Sequence, residues 1–190
     1  MVKKLLLLFI VISLVLIFSF LYTKQANNSL IGRIIEIDKN ITYDIEQISF
    51  NLKFKSNNVS YNIINCDKMY RFRIDSALYI IENSSKIRFY EINNSNAQII
   101  IECSNQTKTL NNFSEYAEGG PTLISNSIIL ESKINIFNSS YCEYPVLELH
   151  ELIHAFGFSH TLNKTSIMYP LLNCKNQLDK SIITKLNELY

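Results

Sequence analysis

The sequence has almost no net charge, few histidines and no closely spaced pair of cysteines. Its 18 basic and 17 acidic residues leave a formal charge of +1, and no basic run alternates with aromatic residues. This balance disfavours a nucleic-acid partner. None of the four cysteines forms a C-x₂₋₄-C pair, which disfavours a zinc ribbon. The chain does have a histidine cluster, because all three of its histidines lie between residues 150 and 160.

A long uncharged segment begins near the amino terminus. The 18 residues of Leu5–Tyr22 contain no charge, glycine or proline, and that length can span the hydrocarbon core of a bilayer. No small-residue cleavage motif follows, so we expect residues 1–23 to be a transmembrane anchor, with a cleaved signal peptide as the alternative. Lys3 and Lys4 then stay in the cytoplasm, and the rest of the chain is membrane-anchored outside it or, after cleavage, secreted.

The remaining chain is predicted to divide into a stalk, residues 24–47, and one domain, residues 48–190. Alternation of apolar and polar residues predicts strands, and apolar residues at helical spacing predict helices. The predicted strands lie in Ile48–Phe54, Val59–Ile64, Lys86–Ile92, Ala97–Glu102 and Thr122–Phe137, and the predicted helices in Met69–Ile81 and Leu178–Tyr190. Glu118–Pro121 reads Glu-Gly-Gly-Pro, the strongest loop signal in the chain.

Residues 150–160 read His-Glu-Leu-Ile-His-Ala-Phe-Gly-Phe-Ser-His. On a helix, His150 and His154 leave the same face one turn apart and can bind one metal ion. Gly157 can end the helix in the left-handed conformation, which lets the chain return His160 as a third ligand. A hydrolytic zinc keeps one coordination position open, so Glu151 is interpreted as a general base toward a zinc-bound water.

The spacing HExxHxxGxxH resembles the metzincin signature, and Ser166–Pro170, which reads Ser-Ile-Met-Tyr-Pro, resembles the methionine turn of that clan. The closest similarity is to the matrixin family. The resemblance implies an α/β (α+β) fold: a twisted mixed sheet with one antiparallel edge strand, a long backing helix, a zinc-binding active-site helix and a small C-terminal helical subdomain. It also implies a zinc metalloendopeptidase with one catalytic Zn²⁺, in which Gly157, Met168 and Pro170 support the site. The sequence supports neither a structural calcium nor a second zinc.

The same resemblance implies a polypeptide substrate bound as an extended strand along the antiparallel edge. In the family, residues after the methionine turn form one wall of the pocket for the residue that follows the scissile bond. Tyr169, Leu171 and Leu172 are the corresponding pocket residues here. Leu172 replaces the tyrosine usual at its position and, with Leu171, suggests an apolar preference. No propeptide cysteine switch is visible.

Four cysteines in an exported domain predict two disulfides, although they allow three pairings. In the matrixin sheet, the strands ending near Cys66 and Cys103 are parallel neighbours, so the resemblance implies a bond between these two residues. The second bond then joins Cys142 to Cys174, which bracket the zinc helix and the methionine turn.

A different class of function competes with the peptidase hypothesis. The same site could stabilise an extracellular binding or adhesion module that holds zinc and presents the edge strand without cleaving anything. Glu151 argues against that alternative, because a purely structural zinc site does not need a general base. The sequence does not indicate an oligomeric state or name a substrate.

Overall fold

The computed structural model describes residues 51–190 apart from 105–107, 111–112 and 139–141. These residues contain eight strands and three helices, numbered here in chain order. The strands are β1 (Lys53–Phe54), β2 (Asn58–Ile64), β3 (Arg88–Glu91), β4 (Ile99–Cys103), β5 (Lys108–Leu110), β6 (Phe113–Glu115), β7 (Ala117–Ser125) and β8 (Ile128–Ile136). The helices are α1 (Lys68–Ser84), α2 (Val146–Ala155) and α3 (Lys180–Leu189).

The main sheet has the strand order β1-β8-β4-β2-β3, and every pair in that order is parallel. β7 pairs antiparallel with β8. The turn between them contains Asn126 and Ser127 with φ of 49° and 64°, and two adjacent positive φ values are what a tight two-residue hairpin needs. β5 and β6 form a separate antiparallel pair. The fold is therefore mixed α/β with a largely parallel sheet.

The helix α1 begins at a side-chain cap and buries one face. Asp67 accepts hydrogen bonds from the backbone N–H groups of Met69 and Tyr70, which satisfies two donors that the first turn leaves without partners. Residues at helical spacing are buried on its inner face, and they are Arg73, Ile74, Ala77, Leu78 and Ile81. Burial of this face packs α1 against the hydrophobic core.

The helix α2 is surrounded by other elements. All ten of its residues are buried, and it contacts β7, β8 and α1. Its carboxyl end continues into Phe156, whose ring meets the ring of Phe54 edge to face with centroids 5.2 Å apart. Ser132 on β8 donates a hydrogen bond of 2.7 Å to the carbonyl of Ala155. The residues that carry the histidine motif therefore stand on a rigid central element.

The loop prediction for Glu118–Pro121 is wrong, because these residues lie within β7. Pro121 lacks an N–H group and is tolerated in strands mainly at an edge. Among the described residues, β7 pairs with no strand except β8, and the register shifts between Pro121 and Ile124. An irregular edge strand thus accepts residues whose local signal indicates a turn.

Two disulfides join the described cysteines. Cys66 bonds to Cys103, and Cys142 bonds to Cys174. The first bond follows from the register, since β2 and β4 are parallel with Ile64 opposite Glu102, and both strands end at the same edge of the sheet.

The predicted anchor, residues 1–23, and the predicted stalk, residues 24–47, lie outside the described residues. Across residues 51–190, with the gaps given above, no helix combines the length and the apolar character needed to cross a membrane.

Candidate metal centre

The helix α2 presents His150 and His154 one turn apart, as their spacing predicts. Both side chains are buried, with 4% and 3% of their surface exposed. Glu151 follows His150 and is equally buried at 4%. With Glu148, which is also buried, four polar side chains occupy a helix whose other residues are apolar, and each of them requires compensating interactions.

Gly157 reverses the chain immediately after this helix. Its φ is 85°, a left-handed conformation that costs glycine less than any residue with a β-carbon. Its N–H donates to the carbonyl of His154 over 2.8 Å. A β-carbon at Gly157 would also lie 2.9 Å from Cδ1 of Leu52. Backbone conformation and space both favour glycine, and the reversal returns the chain to His160.

The three imidazoles meet at their Nε2 atoms. The Nε2 of His150 lies 3.0 Å from that of His154 and 3.1 Å from that of His160. The third side of the triangle, between His154 and His160, is 3.1 Å. In the described part of the chain, this triad is the one group of three or more His, Cys, Asp or Glu side chains placed to share an ion.

Backbone carbonyls fix the tautomers of two of the rings. His150 Nδ1 lies 2.6 Å from the carbonyl oxygen of Ile167, and His154 Nδ1 lies 2.7 Å from that of Phe158. A carbonyl oxygen only accepts, so each Nδ1 carries the proton and each Nε2 presents a bare lone pair. Two bare lone pairs 3.0 Å apart repel each other, and a cation between them removes that repulsion.

The surroundings keep the rings neutral. Burial is the main cause that lowers the pKa of His150 from 6.5 to about 3, and the charge of His160 adds to it, while the bond to Ile167 opposes it. The pKa of His154 lies well below 6.5, first through burial and then through the charges of His150 and His160. Burial also lowers the pKa of His160. Neutral imidazoles are the form that binds metal.

These donors fit zinc. Tetrahedral nitrogens at about 2.0–2.1 Å from Zn²⁺ stand roughly 3.3 Å apart, close to the 3.0 to 3.1 Å seen here. Hydrogen bonds from the second ring nitrogen to carbonyls are the usual support of zinc-binding histidines. Three protein ligands leave one tetrahedral position open, which is typical of catalytic zinc rather than structural zinc.

The predicted methionine turn, Ser166–Pro170, lies directly against the ligands. Ile167 supplies the carbonyl for His150, and Met168 is buried with 2% of its surface exposed. The Met168 N–H donates to Oγ of Ser166, and the Thr161 N–H donates to the carbonyl of Met168. The turn is therefore bonded both to His150 and to Thr161, the residue that follows His160.

Asn176 holds the methionine turn from the other side. Its side chain is fully buried, and its Nδ2 donates to the carbonyls of Lys164 and Ser166 over 2.9 Å and 2.8 Å. Ser166 Oγ also donates a hydrogen bond to Asp179. The turn that supports His150 is thus connected to the segment leading into α3.

The predicted pocket residues have different environments. Leu171 exposes 59% of its surface, whereas Leu172 is partly buried against the core. Tyr169 and Pro170 are half-buried. The disulfide at Cys174 ties the segment after these residues to the loop that leads into α2.

The model of the Matrixin peptidase family matches residues 39–190. The chain belongs to the matrixin family. Matrixins are zinc metalloendopeptidases, and they are typically extracellular. The histidine triad of this matrixin agrees with the metal of its family. The match begins within the segment predicted as a stalk. No curated protein matches the chain.

Sequence reasoning missed two relationships that shape the site. Arg73 on α1 forms a buried ion pair with Glu148 on α2, and Gly119 on β7 lies against Glu151. The sequence did carry a signal for the ion pair, because Arg73 and Glu148 each lie between two apolar residues on their helices. The second gave no local signal, since a glycine that makes room for a distant side chain looks like any turn glycine.

Proposed function

We propose that this matrixin is a zinc-dependent endopeptidase in which Glu151 is the general base. The observation that carries the proposal is the convergence of three Nε2 atoms, together with a buried glutamate on the helix that supplies two of them. Bound zinc would supply Lewis acidity, which polarises a peptide carbonyl and lowers the pKa of a coordinated water to about 7.

Glu151 has the chemistry for moving protons in this setting. Its carboxylate accepts a proton from water as the peptide bond is attacked, and it can return that proton to the departing amine nitrogen. His150 and His154 contribute lone pairs and do not take part in proton transfer, because their second nitrogens are held by backbone carbonyls. Burial in apolar surroundings strengthens each electrostatic interaction at the site.

The edge strand β7 supports a peptide substrate. It contacts α2, and among the described strands it pairs only with β8, so its other edge can take an extended peptide by strand addition. Main-chain hydrogen bonds along that edge would hold the peptide in register, and the pocket of Tyr169, Leu171 and Leu172 would select the residue after the scissile bond.

We also propose that the domain acts outside the cytoplasm, tethered by Leu5–Tyr22. The length and apolar character of that segment support an anchor, and the two disulfides support an oxidising compartment. Protein isolated from membranes should keep residues 1–23. A mature chain that begins near residue 24 would replace the anchor with a cleaved signal.

The proposed reaction is tested with Glu151→Gln in the full chain, purified in detergent and loaded with zinc. Glutamine keeps the volume of glutamate but cannot accept the proton, so cleavage of an unstructured protein should fall by about 10²- to 10⁴-fold or more. Zinc content should be unchanged. The control is Glu143→Gln, since Glu143 is exposed in the loop before α2 and should leave cleavage intact.

Two results would contradict the proposal. Chelator-sensitive cleavage that persists in Glu151→Gln would remove the general-base role. A zinc-loaded wild type that cleaves no peptide would favour the binding or adhesion module instead.

A further inference from the structure

The strand β7 passes close to the proposed general base at Gly119. A β-carbon added there would lie 2.9 Å from Oε2 of Glu151, 2.9 Å from its carbonyl oxygen and 3.2 Å from its Cβ. Contacts below about 3.0 Å are not tolerated between a β-carbon and these atoms, so one side must shift. The missing side chain at Gly119 is therefore what allows the strand and the carboxylate to occupy their present positions.

Space, and not backbone conformation, requires this glycine. The glycines with positive φ are Gly120 and Gly157 among the described residues, so Gly119 has a backbone that alanine can also adopt. Alanine at this position would meet no conformational penalty of its own. Apart from the general effect of alanine on the unfolded chain, an effect of Gly119→Ala then comes from the contacts of the new methyl group, whose nearest atoms all belong to Glu151.

We propose that Gly119 is a positioning residue that fixes the carboxylate of Glu151 relative to the strand that holds the substrate. The inference rests on the proposed function, because it gives the glutamate a proton-transfer role and β7 a substrate-binding role. The close contact between Gly119 and Glu151 sets two distances. One is the distance from the carboxylate to the metal ligands on its own helix, and the other is the distance from the carboxylate to the backbone of β7.

The position of the glycine in the strand supports this role. Ala117 and Gly119 are both buried, and successive side chains of a strand point to opposite faces, so the two share the face toward α2. Residue 117 carries only a methyl group and residue 119 has no side chain, so β7 comes close to Glu151 at Gly119. A substrate strand paired to β7 would therefore also lie close to Glu151.

The kinetic test compares wild type with Gly119→Ala, each in the full zinc-loaded chain. We expect kcat to fall roughly tenfold to hundredfold with KM within about threefold, since a misplacement of about 1 Å in a catalytic group can cost 10² in rate. Zinc content should not change, because the histidines are not displaced. Ser84→Thr is the matched control: it also adds one methyl group, at an exposed position at the end of α1, and should change neither constant.

A double-mutant cycle separates positioning of the carboxylate from general disturbance of the strand. Glu151→Asp withdraws the carboxylate by one methylene, so Gly119→Ala should cost less than about threefold in kcat in that background. The same factor in both backgrounds would overturn the proposal, because the substitution would then act without the carboxylate.

A stability cycle gives a readout that does not depend on activity. Gly119→Ala should lower the melting temperature by several degrees in the wild type, and by less when Glu151→Ala has removed Oε2, the contacted atom that alanine lacks. An equal loss in both backgrounds would overturn the proposal. If Gly119→Ala does not fold alone, folding of the double variant supports the contact, and failure of both variants contradicts it.

The two cycles also separate this inference from the proposed function. A wild type without peptidase activity would defeat the proposed function, while the stability cycle would still decide whether Gly119 sets the place of Glu151.

Discussion

Arg73 and Glu148 form a buried, two-pronged ion pair between α1 and the first turn of α2. Arg73 Nε lies 2.7 Å from Oε1 of Glu148, and Nη2 lies 3.0 Å from Oε2. Only 11% of the arginine side chain and 1% of the glutamate side chain are exposed. Arg73 also donates over 2.6 Å to the carbonyl of Cys142. Arg73 thus connects α1, the loop that contains Cys142 and α2, the helix that carries His150.

The first prediction is that Arg73→Met is strongly destabilising. It leaves the charge of Glu148 buried without its partner, which typically costs about 3–5 kcal/mol in the free energy of unfolding. Arg73→Met with Glu148→Leu should recover much of the loss, because no charge then remains buried. Urea denaturation measures both. Arg71→Met is the control, since Arg71 pairs with Glu91 at the surface and should cost less than about 1 kcal/mol. Equal losses at both arginines would contradict the prediction.

The second prediction is that His154→Ala abolishes zinc binding. His154 supplies one corner of the Nε2 triangle, and two remaining imidazoles bind far more weakly than three. A ligand that binds only the folded state raises its stability, so adding zinc should raise the melting temperature of metal-free wild type and leave that of His154→Ala almost unchanged. Glu151→Gln, which keeps all three ligands, should respond as wild type does. A zinc-dependent rise in His154→Ala would show that the ion binds elsewhere.

The third prediction is that the two disulfides differ in their effect on zinc affinity and peptidase activity. They span 37 and 32 residues, so the loop-entropy estimate assigns roughly 4 kcal/mol to each. Cys142 to Cys174 joins the loop before α2 to the segment after the methionine turn. Replacing this pair by serine should therefore lower zinc affinity and peptidase activity, measured below the melting temperature. Replacing Cys66 and Cys103 should lower stability by a similar amount with activity retained. The reverse order of activities would refute this assignment.

The fourth prediction concerns alkaline stability. The hydroxyl oxygen of Tyr190 accepts a hydrogen bond of 2.7 Å from the Phe54 N–H, and burial raises the pKa of Tyr190 from 10.0 to about 12. A raised pKa means that the folded state holds this proton more tightly than the unfolded state. The contribution is therefore fully present below pH 10 and is lost as the pH rises from 10 to about 12.

Tyr190→Phe tests this pH dependence. Near neutral pH, the variant should be less stable by about 0.5–1.5 kcal/mol, because it loses the acceptor for the Phe54 N–H. The difference from wild type should narrow above pH 10, since phenylalanine does not titrate. Denaturant curves at pH 8, 10 and 11 measure it, and a difference that stays constant across this range would show that Tyr190 does not titrate as described.

Local patterns were sufficient for the helices and for the metal ligands. His150 and His154 needed only the helical repeat, and Gly157 needed only its freedom to adopt positive φ, so short-range geometry decided all three. The loop prediction at Glu118–Pro121 failed for a physical reason. Glycine and proline indicate a turn when only their neighbours are considered, but an edge strand tolerates both. Gly119 leaves room there for Glu151, which lies more than thirty residues later in the chain.

The sequence by itself determined the three histidines that are placed to share a metal ion, the helix that carries two of them and the reversal that returns the third. These features depend on residues that are close together in the chain. The tertiary structure decided what lies around them. The pairing of Arg73 with Glu148, the carbonyl of Ile167 that orients His150 and the approach of β7 to Glu151 all join segments distant in sequence. Such contacts are set by how the sheet and helices pack, and no local pattern encodes that packing.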